Sequence, residues 1–185
     1  MIRAIVSFIR TIIINIINMY NNNKNNLQLK DVDVQQIEYH SATFKDVDNM
    51  NELNRCCLPE NYPIYQWSIL VTIMGKFCTV AYDNNILIGY VLCTLVCNCN
   101  DKIGCIASIA VHPKYRHLGI ATKMLKRSIE QLETIPNLKE INLHVRQSNK
   151  IAQHLYEKMN FIESGIVNNY YEDGEDALVL TRPIL

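Results

Sequence analysis

Apolar side chains recur along this chain at two spacings, every second residue in some stretches and every three to four in others, and the two alternate from about residue 35 onward. The first period-two run, Gln35 to Thr43, predicts a strand. "FKDVDNMNELNRCCL" follows with helical spacing, and Asp46 or Asp48 stands where a side chain can cap the helix start. "PENYP" brings Pro59 and Pro63 into one stretch, which no helix interior accepts, so a shaped loop is expected before a short helix from Tyr65 to Met74. The strands "FCTVAYD" and "ILIGYVLCTLV" are separated by Asn84 and Asn85, residues that tolerate the positive φ of a tight hairpin. After an "NCND" turn come the strand "GCIASIAVHP", a helix from Leu118 to Glu133 and the strand "LKEINLHVR". A helix over about Asn149 to Met159, the segment "FIESGIVNNYY" and a last strand "DALVLTRP" complete the order β, α, α, β, β, β, α, β, α, β, β. That order predicts an α+β domain with a mixed, mostly antiparallel sheet of about seven strands and about four helices.

The beginning of the chain breaks this pattern. "MIRAIVSFIRTIIINIINMY" is apolar and free of acids but carries Arg3 and Arg10. Its apolar run is shorter than the roughly 20 residues that span a bilayer, and an arginine in the middle costs about 2.5–3.5 kcal/mol there. No small-residue cleavage site follows. An amphipathic or disordered appendage, an organelle-targeting segment and a signal anchor are all left open, and membrane association with them. "NNNKNN" is a polar tract that reads as a linker. Residues 1–30 are therefore set apart as an apolar and Asn-rich extension, and the globular domain is expected over residues 31–185.

Composition narrows the function classes. About 150 residues suffice for one well-buried core. Eighteen basic and eighteen acidic side chains cancel, so no global field holds a phosphate backbone and nucleic acid is not an expected partner. The seven cysteines are odd in number, and most lie in apolar runs such as "YVLCTLVCNC". They read as small buried hydrophobes in a reducing compartment, with the cytoplasm as the expected location. Cys97, Cys99 and Cys105 lack a fourth ligand at finger-like spacing and the five histidines are scattered, so no metal is expected.

The chemistry concentrates in "VHPKYRHLGIATKML", residues 111–125. A strand runs into a Pro-containing turn, then a cation, then a helix start of small residues over Arg116, His117, Leu118, Gly119, Ile120 and Ala121. Converging backbone N–H groups and the positive end of a helix dipole suit a diphosphate. A glycine that merely relieves a tight turn is the plain alternative. The spacing is neither the dinucleotide Gly-x-Gly-x-x-Gly nor the nucleotide P-loop, whose Lys-Ser/Thr is missing.

"SIAVHPKYRHLGIA" resembles the acetyl-coenzyme A signature of the GNAT superfamily of N-acetyltransferases, and "LHVRQSNKIAQHLYEKMNF" is similar to that superfamily's second signature. The likeness covers about residues 36 to 185. It implies the GNAT fold and acetyl-CoA as cosubstrate, with the backbone of Ile109, Ala110 and Val111 along the pantetheine arm and the amides from Arg116 to Ala121 on the pyrophosphate. Asn149 and Tyr156 would face the cofactor, Tyr156 near the thioester sulfur. "CCLPENYP" and "YYEDGEDA" further resemble the catalytic subunits of N-terminal acetyltransferase A complexes and their archaeal relatives, which acetylate the α-amine of protein N-termini. That likeness implies a peptide mouth at Leu58, Pro59, Glu60 and Tyr62, with Glu60 assisting amine deprotonation, Tyr170 and Tyr171 closing over the peptide backbone and Arg146 supporting the site. Protein N-termini are the implied substrate, and an auxiliary subunit and the ribosome are further partners it leaves open. The amino-terminal extension departs from the pattern, as does Cys105, where relatives carry a His or Tyr that helps pass the proton.

Acyl transfer needs a neutral amine, and a peptide α-amine has a pKa of about 7.7–8.0 against about 10.4 for lysine. The α-amine thus requires roughly 3 kcal/mol less deprotonation work, and a modest base suffices. Glu60 and His144 are the candidates, each with a plain reading as a surface charge or a packed strand residue. Direct attack without a covalent enzyme intermediate is expected, the oxyanion being held by a backbone amide near Val111. The apolar setting "GCIASIA" should raise a Cys105 thiol pKa and so argues against a cysteine nucleophile. If residues 170 and 171 are extended, the two tyrosines face opposite ways, and Tyr171 is the one expected to face the substrate. A GNAT enzyme for lysine side chains or small amines, and a silent acyl-CoA-binding module, are the rival readings.

Overall fold

The computed structural model describes residues 33–98 and 101–184; the expectations for residues 1–30 and for Cys99 lie outside them. The chain divides into two units, Met1–Gln35 and Gln36–Leu185, and the second carries the fold. Its elements are β1 (Glu38–Ser41), α1 (Val47–Cys57), α2 (Ile64–Met74), β2 (Thr79–Asp83), β3 (Ile86–Asn98), β4 (Asp101–Val111), α3 (Ile120–Leu132), β5 (Leu138–Arg146), α4 (Lys150–Glu157), β6 (Ile162–Val167) and β7 (Ala177–Pro183). The seven described strands form one sheet in the order β1-β2-β3-β4-β5-β7-β6. Every neighbouring pair is antiparallel except β4 and β5. A parallel pair needs a crossover, and α3 supplies it.

Local chemistry explains most boundaries. Asn84 and Asn85 take φ of 46° and 68°, the left-handed pair a two-residue hairpin demands. Along β5, Ile141, Leu143 and Val145 are buried while Asn142, His144 and Arg146 are less so, the alternation of a pleated strand. In α3 the buried residues Ile120, Met124, Leu125, Ser128, Ile129 and Leu132 form one face laid on β2, β3 and β4. Met124, Leu125 and Leu132 have no exposed surface, and burial of each is worth about 1.5–3 kcal/mol.

Three expectations need correction. Asp46 does not cap α1 with its side chain: its buried carboxylate accepts from Thr43 N (2.7 Å), Thr43 Oγ1 (2.8 Å) and Tyr82 Oη (2.7 Å). The two bonds from Thr43 form a capping box at the start of a 3-10 turn over Phe44–Asp46, and α1 begins only at Val47, three residues later than its spacing suggests. "NNYY" is not strand, because Asn169 at φ 51° turns the chain after β6. The cysteines are not uniformly core: Cys78 and Cys93 are buried, whereas Cys56 and Cys97 are exposed. Among the described residues no group of three or more His, Cys, Asp or Glu is set to hold a metal. No helix among them is long and apolar enough to cross a membrane.

Candidate active site

The parallel pair β4–β5 parts midway. Pairing runs from Lys102↔Leu138 to Ile106↔Leu143 and stops there, although β4 continues to Val111 and β5 to Arg146. The cause lies on the other edge of β4. Leu92 pairs with Ser108 but Cys93 with Ile106, so Ala107 is an extra residue, a bulge that bends β4 away from its neighbour. A cavity of about 780 Å³ opens at the fork, between Ile106–Ile109 on β4 and His144–Arg146 on β5.

Eleven of the residues singled out from the sequence line this one cavity: Leu58, Pro59, Glu60, Tyr62, Ile109, His144, Arg146, Asn149, Tyr156, Tyr170 and Tyr171. On the loop side, Arg146 reaches across the mouth. Its Nη2 and Nε donate to Glu60 Oε1 (2.6 and 3.2 Å), and its Nη1 donates to Glu175 Oε2 (2.6 Å) and Asp173 Oδ2 (2.8 Å). Partial desolvation works against the guanidinium charge, yet the bonds to Glu175, Glu60 and Asp173 outweigh it and hold the pKa above the ordinary arginine value. Glu175 in turn is held at about 2 by hydrogen bonds from Ser148 and then by Arg146. One cation therefore ties the α1–α2 loop to the β6–β7 loop.

Both tyrosines face the cavity, contrary to the expectation of opposite faces, since residues 170 and 171 lie in a turn rather than a strand. Tyr170 stacks on the His144 ring (centroids 4.6 Å apart, planes 3° apart) and meets Tyr171 edge-on. Tyr171 lies over the Arg146 guanidinium at 4.0 Å. Burial lowers the His144 pKa, so the ring is neutral near pH 7. Neither ring nitrogen has a hydrogen-bond partner among the described residues, which leaves one free to take a proton. Burial raises the Cys105 thiol, in line with the expectation from its apolar neighbours.

Ala110, Val111 and the turn to α3 continue outward from Ile109. Ala110 and Ile120 are nearly or fully buried, so at those two positions what is offered a ligand is backbone. The Arg116 side chain bends back to donate Nε to Val111 O (3.2 Å). Gly119 caps α3 at φ 76°, and a Cβ added there would meet no atom within 4 Å. The backbone N–H groups of His117 through Thr122 have no acceptor among the described residues, the first helical bond being Lys123 N to Gly119 O (3.1 Å). Six free donors around an open glycine fit a diphosphate. Asn149 uses Oδ1 to cap α4 through Ala152 N (3.1 Å), leaving its Nδ2 for a ligand. Tyr156 is buried with its ring edge-on to Phe161, and burial pushes its pKa up, so its hydroxyl stays protonated.

Spacing alone missed several members of the site. Asp173 and Glu175, which pair with Arg146, were given no role by spacing, and neither were Thr94, Ser108, Gln66, Ile69 and Leu70, which line the cavity. Asn54 could have been found: it falls on the same helical face as Val47, Met50 and Asn51, where the period puts core.

A strand pair fastened at one end and forked at the other, with unpaired helix-start amides on one side of the fork and a charged loop mouth on the other, suits a transferase that takes a long thioester-bearing arm and an acceptor amine; that is the class this fold and site define. Residues 47–161 match the acetyltransferase (GNAT) family, and the chain belongs to it. It is 36% identical over 152 residues to an N-alpha-acetyltransferase of Saccharolobus solfataricus, covering 78% of this chain and 91% of that one. It is also 36% identical over 138 residues to the N-terminal acetyltransferase A complex catalytic subunit NAA10 of Arabidopsis thaliana, covering 74% and 72%. Among solved structures, the NatC complex bound to Gag peptide and CoA contains a similar chain, with TM-score 0.76 and 28% identity over 81% of this chain and 99% of that one.

Proposed function

We infer that this chain transfers the acetyl group of acetyl-CoA to the α-amine of polypeptide N-termini, by direct attack in a ternary complex. The observation that carries the reading is the forked β4–β5 pair, with free amides at one end and the Glu60–Arg146 mouth at the other. In this reading the free amides from His117 to Ala121 bind the diphosphate, Arg116 N being already given to Pro113 O (3.4 Å), while the free edge of β4 at Ile109–Val111 pairs with the pantetheine arm. Asn149 Nδ2 fixes that arm beside Tyr156. Leu58, Pro59, Glu60 and Tyr62 form one wall of the peptide mouth, and Tyr170 and Tyr171 form the other.

His144 is favoured as the base. Its neutral ring lies where β4 and β5 part, whereas Glu60 Oε1 is already committed to Arg146. Glu60 then orders the mouth and offers its second oxygen to the incoming ammonium. Tyr156 donates a hydrogen bond to the departing sulfur, which with a pKa near 8.5 needs little more. The roughly 3 kcal/mol that separates an α-amine from a lysine suits such weak basic assistance.

The same proposal keeps residues 1–30 as an appendage to a catalytic domain over 31–185, and gives the reaction a cytoplasmic setting where nascent chains emerge. It includes an auxiliary subunit on α2, whose Ile64, Tyr65, Ile69 and Ile73 are exposed. Relatives named as catalytic subunits of a complex support this.

Acetyl transfer to short peptides with a free Ser-Glu or Ala-Asp start, against blocked twins carrying lysine, tests the function. Free α-amines should be acetylated and the twins not. Preferential lysine acetylation, or acetyl-CoA binding without transfer to any amine, overturns it.

A further inference from the structure

Asn54, at the end of α1, is 1% exposed and every polar atom of its side chain is engaged. Nδ2 donates to the backbone carbonyl of Glu60 (2.6 Å). Oδ1 accepts from Tyr90 Oη on β3 (2.5 Å) and from Ser108 Oγ on β4 (3.3 Å), and those two hydroxyls are 2.8 Å apart. The carbonyl of Glu60 can only accept, so the amide orientation is fixed, with Oδ1 turned to the hydroxyls. The Asn54 main chain adds a fourth link, its carbonyl accepting from Leu58 N (2.8 Å). Ser108 is the residue just after the Ala107 bulge and lines the cavity. A single carboxamide therefore joins the loop that carries Glu60 to the strand that borders the fork. The Tyr90 hydroxyl between them stays protonated, because burial raises its pKa.

We propose that Asn54 is a positioning residue, holding the Leu58–Glu60 wall of the peptide mouth at a fixed distance from β4 through Tyr90 and Ser108. The proposal rests on the reading of that loop as the acceptor wall. Asn54 touches no reacting atom in this arrangement; it sets where Glu60 and its neighbours meet the incoming amine. With Tyr90 Oη giving its proton to Oδ1 at 2.5 Å, the Ser108 hydroxyl is left to donate to Tyr90 Oη at 2.8 Å, and the chain of bonds from loop to strand is complete.

Asn54→Leu removes all three side-chain bonds at similar volume and leaves only the main-chain bond to Leu58, and Tyr90→Phe removes the hydroxyl between loop and strand while leaving the Glu60 contact. In the full chain, peptide kcat/KM should fall at least tenfold in Asn54→Leu and about threefold in Tyr90→Phe, through KM for peptide. Acetyl-CoA affinity by calorimetry should stay within twofold of wild type. Hydrogen exchange of residues 60–62 should quicken in Asn54→Leu with no ligand present, a readout independent of catalysis. Unchanged exchange together with unchanged peptide KM overturns the proposal, as does an equal loss of peptide and acetyl-CoA affinity, which marks general unfolding. If Asn54→Leu does not fold, Tyr90→Phe and Ser108→Ala decide by the same two readouts. A wild-type chain that acetylates no peptide refutes the acceptor reading instead, and the exchange result then still decides whether Asn54 pins the loop.

Discussion

Gly119→Ala separates a structural role of this glycine from a ligand-binding one. Gly119 holds φ 76° and ψ 2°, and an L residue in that region costs about 1–2 kcal/mol. No clash adds to this, because the new methyl meets nothing within 4 Å. At about 2–4 °C per kcal/mol for a chain of this size, the melting temperature should fall by only a few degrees. The methyl does, however, occupy the open space beside six unpaired amides. A hydrogen bond to a charged acceptor is worth about 1.5–3 kcal/mol, so displacing the diphosphate by the width of a methyl should lose about 2–3 kcal/mol of binding. At 1.4 kcal/mol per tenfold, that is a roughly 30- to 150-fold rise in Kd for acetyl-CoA. Calorimetry with acetyl-CoA and with acetyl-pantetheine, which lacks the diphosphate, measures both effects; the second ligand should bind wild type and variant alike. An acetyl-CoA Kd within threefold of wild type would refute the placement of the diphosphate at this helix start, whatever the melting temperature does.

Burial disfavours the imidazolium form of His144, so its proton leaves below the usual 6.5. At saturating peptide, kcat should hold from neutral pH down to about 6.5 and decline only below it. His144→Asn should remove that acid limb and lower kcat by about 10²-fold, the low end for a general base; a limb that survives the substitution assigns the base elsewhere. The Tyr156 hydroxyl has no hydrogen-bond partner among the described residues, so Tyr156→Phe should leave the melting temperature unchanged. It should lower kcat by about tenfold, the value of one hydrogen bond to a charged sulfur, at unchanged peptide KM in initial-rate assays.

What could be read from the chain depended on the range of the interactions involved. β5 was legible to the residue because alternate burial is written into "LKEINLHVR", and the hairpin at Asn84–Asn85 because two residues suffice to make it. The helix start at Gly119 was legible for the same reason. Arg146 meets Glu60 across 86 residues of sequence and Glu175 across 29, and no spacing rule reports a pair that only the sheet order brings together. The bulge at Ala107 was hidden too, since "CIASIAV" alternates well enough to read as regular strand. Tyr170 and Tyr171 were misread because Asn169 at φ 51° and Gly174 at φ 83° bracket a turn, and in a turn neighbouring side chains are not bound to opposite faces. Asp46 was taken for a cap because its deeper partner, Tyr82, belongs to a strand 36 residues away.

Only five residue pairs, Lys102–Leu138 through Ile106–Leu143, join β4 to β5, so the sheet is two panels fastened at one end of a seam. If the cofactor arm lies in the unfastened part as proposed, it acts as a temporary stitch, lending each panel the bonds it lacks. On that placement the sheet is at its loosest once product has left, and the ease of emptying the site and the rigidity of the fold are set by the same few missing bonds.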